Sequence, residues 1–405
     1  MNKKITAAAL IAGLLTGLAG TVGVVGAAEV RSSQGAPEPV WKNADLPLDQ
    51  RVSALVSAMT MKEKVSLLYF TAPGIDRVGI RKYDHGNEGL HGLMRPGKNT
   101  VFPQAMGMAA TFDPALIREV ASAISDEARA WWNKEGGKHI GRFSGVLTLW
   151  SPVVNMARDP RWGRTPETYG EDPFLTSRMG VSFVRGLQGD DPSHIKVIAT
   201  PKHFAGNNQE FGRFSKNIVC DERYLFEYEL FGFRACIMEG KAQSTMAAYT
   251  SINGTPSAAN QWLLTQVLRE RWGFDGYAVG DCGAAEFVSS RFKFSPSMAE
   301  GYAACLNAGL DMVGEDNGSN DYIQKAMDAG LIKPEIIDRA VSRLLRGRFL
   351  LGMFDPPERS PYSKIGAEEI GSAAHGELAR KVADKSMVLL KNAPFGGTTL
   401  LPIDV

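Results

Sequence analysis

Cysteine is scarce in this chain. Only four of the 405 residues are cysteine, namely Cys220, Cys236, Cys282 and Cys305, and no two of them have the CxxC spacing. Thiols this few and this dispersed argue against a disulfide framework, and no His-Cys spacing indicates a zinc site. We expect mostly buried free thiols, and we leave open a bridge between Cys220 and Cys236.

An excess of one charge sign is also absent. The chain has 45 basic and 44 acidic residues, a formal net charge of +1, and no basic block stands out. Because nucleic-acid-binding domains present a clustered basic surface, we expect no nucleic-acid partner. The glycine patterns of phosphate-binding loops and of dinucleotide-binding folds are missing as well, so the sequence offers no such nucleotide motif.

Long hydrophobic runs are absent after the first 28 residues. Before that, the basic start NKK precedes an apolar run from Ile5 to about Val25, and small residues follow at 26–28. This order is typical of a secretory signal peptide over 1–28, and its small residues favour cleavage. The alternative is a membrane anchor, because the run is long enough to cross a bilayer. We expect an exported protein, periplasmic or extracellular, with a leader over 29–45 and no membrane contact after cleavage.

Predicted helices and strands alternate through the rest of the chain. Apolar runs of strand-forming residues predict strands at Val146–Met156, Lys196–Phe204, Ser244–Gly254, Tyr277–Val279 and Gly309–Val313. Helical periodicity and start signals predict helices at Pro47–Met59, after Thr60, after Asp113, at Glu222–Glu239, at Gln261–Trp272 and around Ile336–Leu345. This alternation predicts an α/β fold with parallel strands, and the number of units favours a (β/α)8 barrel of the TIM type over 46–355.

Several predicted strands end in residues with useful chemistry. Arg164 lies beyond the first strand, Lys202-His203 and Tyr249 follow the next two, and Asp281 ends the strand Tyr277–Val279. Because catalysis in (β/α) barrels occurs at the carboxyl ends of the strands, four such endings indicate one active site. Taken singly, these residues have simpler interpretations. Asp281 could cap a helix and Lys202 could be a surface cation. His203 could be a core histidine and Tyr249 a packed aromatic.

The early stretch 83–97, YDHGNEGLHGLMRPG, is rich in glycine and polar residues and predicts a loop. His85, Glu88 and His91 leave open a metal site. However, they lack the helical i, i+4 spacing of an HExxH zinc motif. We therefore prefer a polar substrate-binding loop.

Five motifs together resemble a known family: RDPRWGR, ETYGEDP, KHFAGNNQE, AYTSINGTP and the stretch GYAVGDCGA. From about Leu46 to its end, the chain resembles glycoside hydrolase family 3, the exo-acting, retaining β-glycosidases. The resemblance implies a barrel as the first domain and Asp281 as the nucleophile that forms a covalent glycosyl-enzyme. It also implies a pocket for the terminal sugar, without a metal or organic cofactor, lined by Glu88, Arg164, Lys202, His203 and Tyr249.

The substrate class implied by the resemblance is a β-linked oligosaccharide or an aryl β-glycoside. The form NExLHG together with DCGA is similar to the β-xylosidase branch, whereas AGNNQE looks more like glucosidase members. Glu88 takes the place of an Asp that holds sugar hydroxyls in glucosidase-like members. Its longer side chain would shrink the pocket, which favours a β-D-xyloside over a β-D-glucoside.

The general acid is not visible in the sequence. In this family it usually comes from a second, α/β-sandwich domain, and residues 373–405 resemble only the first helix and strand of that domain, after a linker over 356–372. A branch of the family carries a His/Asp acid–base pair on a barrel loop, but the stretch after His203 lacks that segment. We expect a truncated glycosidase whose acid lies beyond residue 405. The alternatives are a non-catalytic sugar-binding remnant and an unrelated lyase or aldolase using Lys202 as a Schiff base.

Overall fold

Helices and short strands alternate along the described part of the chain. The computed structural model describes residues 38–139, 141, 145–315, 321–394, 396–399 and 401–403. The α-helices are α1 (Leu48–Ser57), α2 (Met61–Ser66), α3 (Ala105–Ala109), α4 (Pro114–Lys134), α5 (Pro173–Gln188), α6 (Glu222–Tyr224), α7 (Phe231–Met238), α8 (Ala284–Ser290), α9 (Met298–Ala308), α10 (Tyr322–Asp328), α11 (Pro334–Leu350) and α12 (Ala373–Ser386). The strands are β1 (Thr71–Ala72), β2 (Tyr83–Asp84), β3 (Thr148–Leu149), β4 (Ile198–Ala199), β5 (Asn217–Ile218), β6 (Ser244–Ala247), β7 (Ser251–Ile252), β8 (Thr255–Pro256) and β9 (Tyr277–Gly280). The predicted signal peptide and most of the predicted leader lie outside the described residues.

Side-chain caps define where the predicted helices begin. Thr60 and Glu63 form the predicted capping box of α2, in which each side chain accepts a hydrogen bond from the backbone N–H of the other. Asp113 accepts the N–H of Leu116 and so caps α4, whose first residue is Pro114. These capping signals were local in sequence, and both predictions are confirmed.

Two predicted helices contain π-helical turns. The predicted helix Glu222–Glu239 is confirmed as α6 and α7, which are joined by the π-helix Leu225–Glu229. The predicted helix Gln261–Trp272 is present as the π-helix Trp262–Arg271. Apolar periodicity identifies a helix but does not separate the α from the π hydrogen-bonding pattern, so the sequence did not predict this difference.

Four of the five predicted strands are present, and Tyr277–Val279 lies wholly within β9, but regular pairing covers only part of the others. The predicted strand Gly309–Val313 is not formed and joins its neighbour only through the single bridge between Met312 and Val279. Val146–Met156 contains β3, and Lys196–Phe204 contains β4. Pro152 and Pro201 interrupt these two segments because proline has no N–H for a strand ladder. Beyond the prolines the two segments meet again through a single parallel bridge at Lys202.

Backbone hydrogen bonds join the strand segments side by side in one series. β3 pairs in parallel with β4, and β6 pairs in parallel with β9. Single parallel bridges join the other neighbours, namely Asn87 to Leu149, Phe204 to Ala247 and Val279 to Met312. The N–H of Val313 donates to the carbonyl of Leu68 at 2.9 Å. The N–H of His85 donates to the carbonyl of Phe70, also at 2.9 Å, which brings the series back to its start.

Two pairings depart from the predicted parallel arrangement. β7 pairs antiparallel with β8 in a separate small sheet with β5, and β1 pairs antiparallel with β2. The segment 73–82 between them is too short for the crossover helix that a parallel pair needs. The α/β class is therefore confirmed, with two antiparallel pairs besides the parallel ones. Every residue of β6 and β9 is buried, as expected for strands covered on both faces.

Helix α12 packs against α3 and α4. His375 Nδ1 lies 3.1 Å from Glu127 Oε1, and Val382 is fully buried. Met387–Leu390, in the segment predicted to contain the strand after α12, is exposed and forms no strand. No helix in the described ranges is long and apolar enough to cross a membrane.

All four cysteines are free thiols, so Cys220 and Cys236 form no bridge. Cys236 and Cys305 are buried, as predicted, whereas Cys220 is half-buried. Cys282 is exposed, contrary to the expectation of mostly buried thiols. It follows directly on Asp281 in the turn after β9, where the chain leaves the core.

Candidate active site

Asp281 directly follows β9, at the carboxyl end of the strands. The N–H of Asp281 still donates to the carbonyl of Ala247 at 3.0 Å, so its backbone continues the ladder with β6. Gly283, with φ of +84°, then turns the chain into α8 and caps that helix without a side-chain hydrogen bond. Asp281 Oδ1 accepts the N–H of Cys282 at 2.8 Å. The interpretation of Asp281 as a side-chain helix cap is therefore wrong.

Asp281 Oδ2 is buried and has no hydrogen-bond partner in the described structure. The nearest charged or titratable nitrogen is Nε2 of His203, at 3.7 Å. Buried carboxylate oxygens are normally hydrogen-bonded, so an unpartnered one at a strand end is a candidate for contact with a ligand.

Lys202 and Glu88 form the closest ion pair of the site. The buried Nζ of Lys202 lies 2.7 Å from each oxygen of Glu88. The Lys202 side chain is only 2% exposed, whereas that of Glu88 is 33% exposed. The glutamate of the early loop is thus tied to the end of the β4 segment, as expected if both face one pocket.

Arg164 is also paired. Its Nε and Nη2 donate to the two oxygens of Glu167, each at 2.8 Å. The short 3-10 turn Thr165–Glu167 brings them together at i, i+3. Burial alone would lower the pKa of Arg164, but Glu167, with the charges of Asp281 and Glu88, raises it. Nη1 of Arg164 makes no hydrogen bond within the described part of the chain.

His203 is held by Asn155, a residue the sequence analysis did not select. The N–H of His203 donates to Asn155 Oδ1 at 2.8 Å, and Asn155 Nδ2 donates to the carbonyl of His203 at 2.9 Å. Nδ1 of His203 lies 3.1 Å from the same Oδ1. Burial, with the neighbouring cations, lowers the pKa of His203 well below its usual value. A neutral ring that donates from Nδ1 to Asn155 presents Nε2 as an acceptor.

Tyr249 forms the wall next to the turn after β9. Its hydroxyl donates to the carbonyl of Cys282 at 2.8 Å, and its ring packs edge-on against Phe214 with centroids 5.0 Å apart. The guanidinium of Arg213 lies 5.5 Å from the Tyr249 ring centroid. Arg213 is a second residue that the sequence analysis missed. Its only signal was its position at the end of the motif AGNNQEFGR.

The pKa of Asp281 is shifted by its buried position. Burial raises the pKa of Asp281 above its usual value, and Lys202, the N–H of Cys282, Tyr249 and Arg164 offset this only in part. Lys202 and Arg164 each neutralise a glutamate of their own, which reduces what they contribute to Asp281.

The metal-site interpretation of the early loop is not supported by its contacts. His85 Nε2 lies 2.8 Å from a guanidinium nitrogen of Arg348, and His91 Nδ1 lies 2.8 Å from the carbonyl of Phe102. Glu88 is paired with Lys202, so the side chains of His85, Glu88 and His91 do not meet at one point. Within the described residues no three His, Cys, Asp or Glu side chains form a metal-binding group.

Comparison with known sequences identifies close relatives of the chain. The model of the glycosyl hydrolase family 3 N-terminal domain matches residues 77–347. An exo-1,4-beta-xylosidase of Emericella nidulans is 39% identical over 374 residues, which cover 87% of this chain and 47% of that protein. Beta-D-xylosidase 3 of Arabidopsis thaliana is 36% identical over 369 residues, with coverages of 87% and 47%. The chain thus spans about half the length of the curated relatives it matches.

Solved structures agree with the sequence relatives. A GH3 exo-beta-xylosidase in complex with a xylobiose aziridine activity-based probe has a TM-score of 0.80 and 32% identity, covering 87% of this chain and 47% of that chain. A beta-glucosidase from Erythrobacter marinus has a TM-score of 0.75 and 28% identity, covering 88% of this chain and 52% of that chain. As its motifs predicted, this chain belongs to glycosyl hydrolase family 3.

Proposed function

We propose that this protein is an exo-acting, retaining β-glycosidase that removes terminal, non-reducing β-linked sugars, with a β-D-xyloside favoured. The observation that carries the proposal is Asp281. It combines burial at a strand end with a carboxylate oxygen that has no hydrogen-bond partner in the described structure. A retaining glycosidase needs such an oxygen as its nucleophile.

In the proposed reaction, Asp281 Oδ2 attacks the anomeric carbon and forms a C–O ester bond while the bond to the leaving oxygen breaks, and that oxygen leaves with the bonding electrons and takes its proton from solvent. Water then attacks the same carbon from the opposite face, gives up a proton to solvent and releases the carboxylate, so Asp281 is restored and the sugar keeps its β configuration. The raised pKa of Asp281 means that burial destabilises the ionised form. Esterification removes that buried negative charge, which favours the covalent step.

The groups around Asp281 supply both donors and acceptors for sugar hydroxyls. Lys202 Nζ and the free Nη1 of Arg164 can donate, while Glu88 and Nε2 of His203 can accept. Because these donors and acceptors are fixed by ion pairs and by Asn155, they are positioned before a sugar binds. Lys202 donates to both oxygens of Glu88, which argues against its use as a free amine in a Schiff base.

The preference for xylose rests on Glu88 and on the relatives. The side chain of Glu88 reaches from the early loop to Lys202. It therefore leaves less room beside the sugar ring than an aspartate at the same position would. The curated relatives compared here are named xylosidases. A β-glucosidase is the second candidate, supported by the glucosidase among the similar structures.

We also propose a (β/α) barrel over 46–355, with residues 373–405 as the start of a second domain and residues 1–28 as an export signal. The closed series of backbone hydrogen bonds from Leu68 back to Phe70 supports the barrel. Barrel closure removes exposed strand edges, which accounts for strands this short being stable in series.

Steady-state kinetics of the full chain on dinitrophenyl β-xyloside and β-glucoside test the proposal. This leaving group departs with little protonation, so the rate reports mainly on the nucleophile. We expect turnover with a higher kcat/KM for the xyloside, and loss of turnover in Asp281→Asn. Asp275→Asn, an exposed change six residues earlier in the chain, is the matched control and should keep full activity. Saturable sugar binding without any turnover would instead favour the non-catalytic alternative.

A further inference from the structure

A cavity of about 270 Å³ lies at the opposite end of the strands from Asp281. Arg129 marks its position. This residue donates from Nε to the carbonyl of Lys196 and from Nη2 to the carbonyls of Ile195 and Leu351. Ile195 and Lys196 lie two to three residues before β4, whereas Lys202 lies three residues after it. The cavity is therefore separate from the proposed active site by the length of a strand.

The cavity has an unbalanced positive charge. Arg81 and Arg129 both line it, and neither has an ion pair among the described residues. Arg129 is only 3% exposed, and its Nη1 has no acceptor in the described protein. Asp355 is the one carboxylate in the described lining, but it is already engaged by Arg51 at 2.5 Å and by His194 at 3.2 Å.

A second polar group in the lining also has no partner. Ser360 is 6% exposed, and its Oγ makes no hydrogen bond in the described structure. Arg81 donates from Nη1 only to the carbonyl of Gly136, at 3.2 Å, which leaves other guanidinium N–H groups unused. A buried cation without a counter-ion and a buried hydroxyl without a partner are both unfavourable, and one bound anion would satisfy both.

We propose that this cavity binds a small oxyanion, a phosphate or a short carboxylate, held by Arg81, Arg129 and Ser360. Guanidinium groups present paired N–H donors that match two oxygens of one anion, which favours an oxyanion over a single-atom halide. The serine hydroxyl would donate to a further oxygen. The bound anion would link the carboxyl end of α4 to the chain that follows α11, so it should stabilise the folded protein.

The test is the thermal unfolding midpoint of the full chain, measured with increasing phosphate, sulfate or acetate while sodium chloride holds the ionic strength constant. We expect a saturable rise of a few degrees with at least one of these oxyanions and none with chloride alone. The most effective anion identifies the ligand as a phosphate-type ion or a carboxylate.

Variants separate the site from general salt effects. Arg81→Met should weaken anion binding about tenfold or more, since it removes a charged donor. Ser360→Ala should weaken it a few-fold. Lys82→Met is the matched control, because Lys82 is the exposed neighbour of Arg81, carries the same charge and does not line the cavity. It should leave the dissociation constant unchanged. Arg81 is itself exposed, so its replacement should not prevent folding.

The proposal is overturned if no oxyanion raises the midpoint at constant ionic strength. It is also overturned if Arg81→Met and Lys82→Met show the same rise with the same midpoint concentration. Neither result would bear on the glycosidase proposal, because covalent labelling at Asp281 does not involve this cavity.

Discussion

Buried cationic side chains have different partners at the two ends of the strands. At the carboxyl end, Lys202 is paired with Glu88 and Arg164 with Glu167, side chain to side chain. At the amino end, Arg129 instead donates to three backbone carbonyls. Side-chain carboxylates can share their cations with an incoming ligand, whereas backbone carbonyls are fixed by the fold.

The difference agrees with the proposal that turnover occurs at the carboxyl end. The carboxyl end combines side-chain ion pairs with a carboxylate oxygen of Asp281 that no described group satisfies. The amino end uses the guanidinium group of Arg129 to hold separate segments of the chain together, and the one carboxylate in its described cavity lining, Asp355, is already paired. We therefore expect changes at the carboxyl end to alter catalysis first, and changes at the amino end to alter stability first.

Lys202→Met should have the largest effect on catalysis. It removes the cation closest to the proposed sugar site, so kcat/KM on an activated aryl xyloside should fall by about 10²–10³-fold. Michaelis kinetics measure this loss, and circular dichroism checks that the protein is folded. A decrease of less than threefold in a folded variant would break the assignment of Lys202 to the site.

Arg129→Met should mainly affect stability. Three backbone carbonyls lose their donor, and each unsatisfied buried acceptor costs about 1–3 kcal/mol, so the free energy of unfolding should fall by at least about 3 kcal/mol. Denaturant titration measures the change, and Arg129→Lys, which retains one donor group, should lose less. The kcat per folded molecule should stay within about twofold. An unchanged unfolding free energy would contradict the comparison of the two ends.

Glu88→Asp should change substrate preference rather than folding. The shorter side chain withdraws the carboxylate from Lys202 and opens space beside the sugar. The ratio of kcat/KM for the β-glucoside to that for the β-xyloside should rise about tenfold, in the range expected for one methylene. Glu171→Asp makes the same chemical change at an exposed position and should leave the ratio unchanged. A fall in the ratio would contradict the proposed role of Glu88.

The smallest expected effect is a dependence of stability on pH. Because the pKa of Asp281 is raised in the folded protein, the unfolded chain releases this proton first as the pH rises above about 3.8. Asp281 therefore lowers stability at neutral pH, and this penalty disappears as the pH falls toward its ordinary pKa. Asp281→Asn should be more stable than the parent protein at pH 7, with a difference that shrinks toward pH 4. Denaturant midpoints across this range measure it, and equal midpoints at pH 7 would contradict it.

Most of the architecture near the site was readable from the sequence. The alternation of strands and helices predicted the α/β class, and polar residues after buried strands identified Lys202, His203 and Asp281. The actual extent of pairing was less predictable. Pro152 and Pro201 are visible breaks in the sequence, but whether pairing resumes beyond them depends on neighbouring strands that the local sequence does not specify.

Two residues that contact the site were not predictable from local patterns. Asn155 lies inside a predicted buried strand, where its amide gives no sign that it orients His203. Arg213 comes from an irregular segment after the KHF motif, and only the folded chain brings it over Tyr249. The pairing of Arg164 with Glu167 was accessible from their i, i+3 spacing.

The most direct test of the central claim is the intact mass of the protein after incubation with 2-fluoro xylosyl fluoride and, in parallel, with the glucosyl reagent. Fluoride leaves without protonation, and the 2-fluoro group slows release of the sugar from the enzyme. We predict a single stable adduct on the peptide that contains Asp281, formed faster by the xylosyl reagent, absent in Asp281→Asn and retained in Asp275→Asn. A folded protein that forms no adduct with either reagent, or an adduct at another residue, would contradict the account.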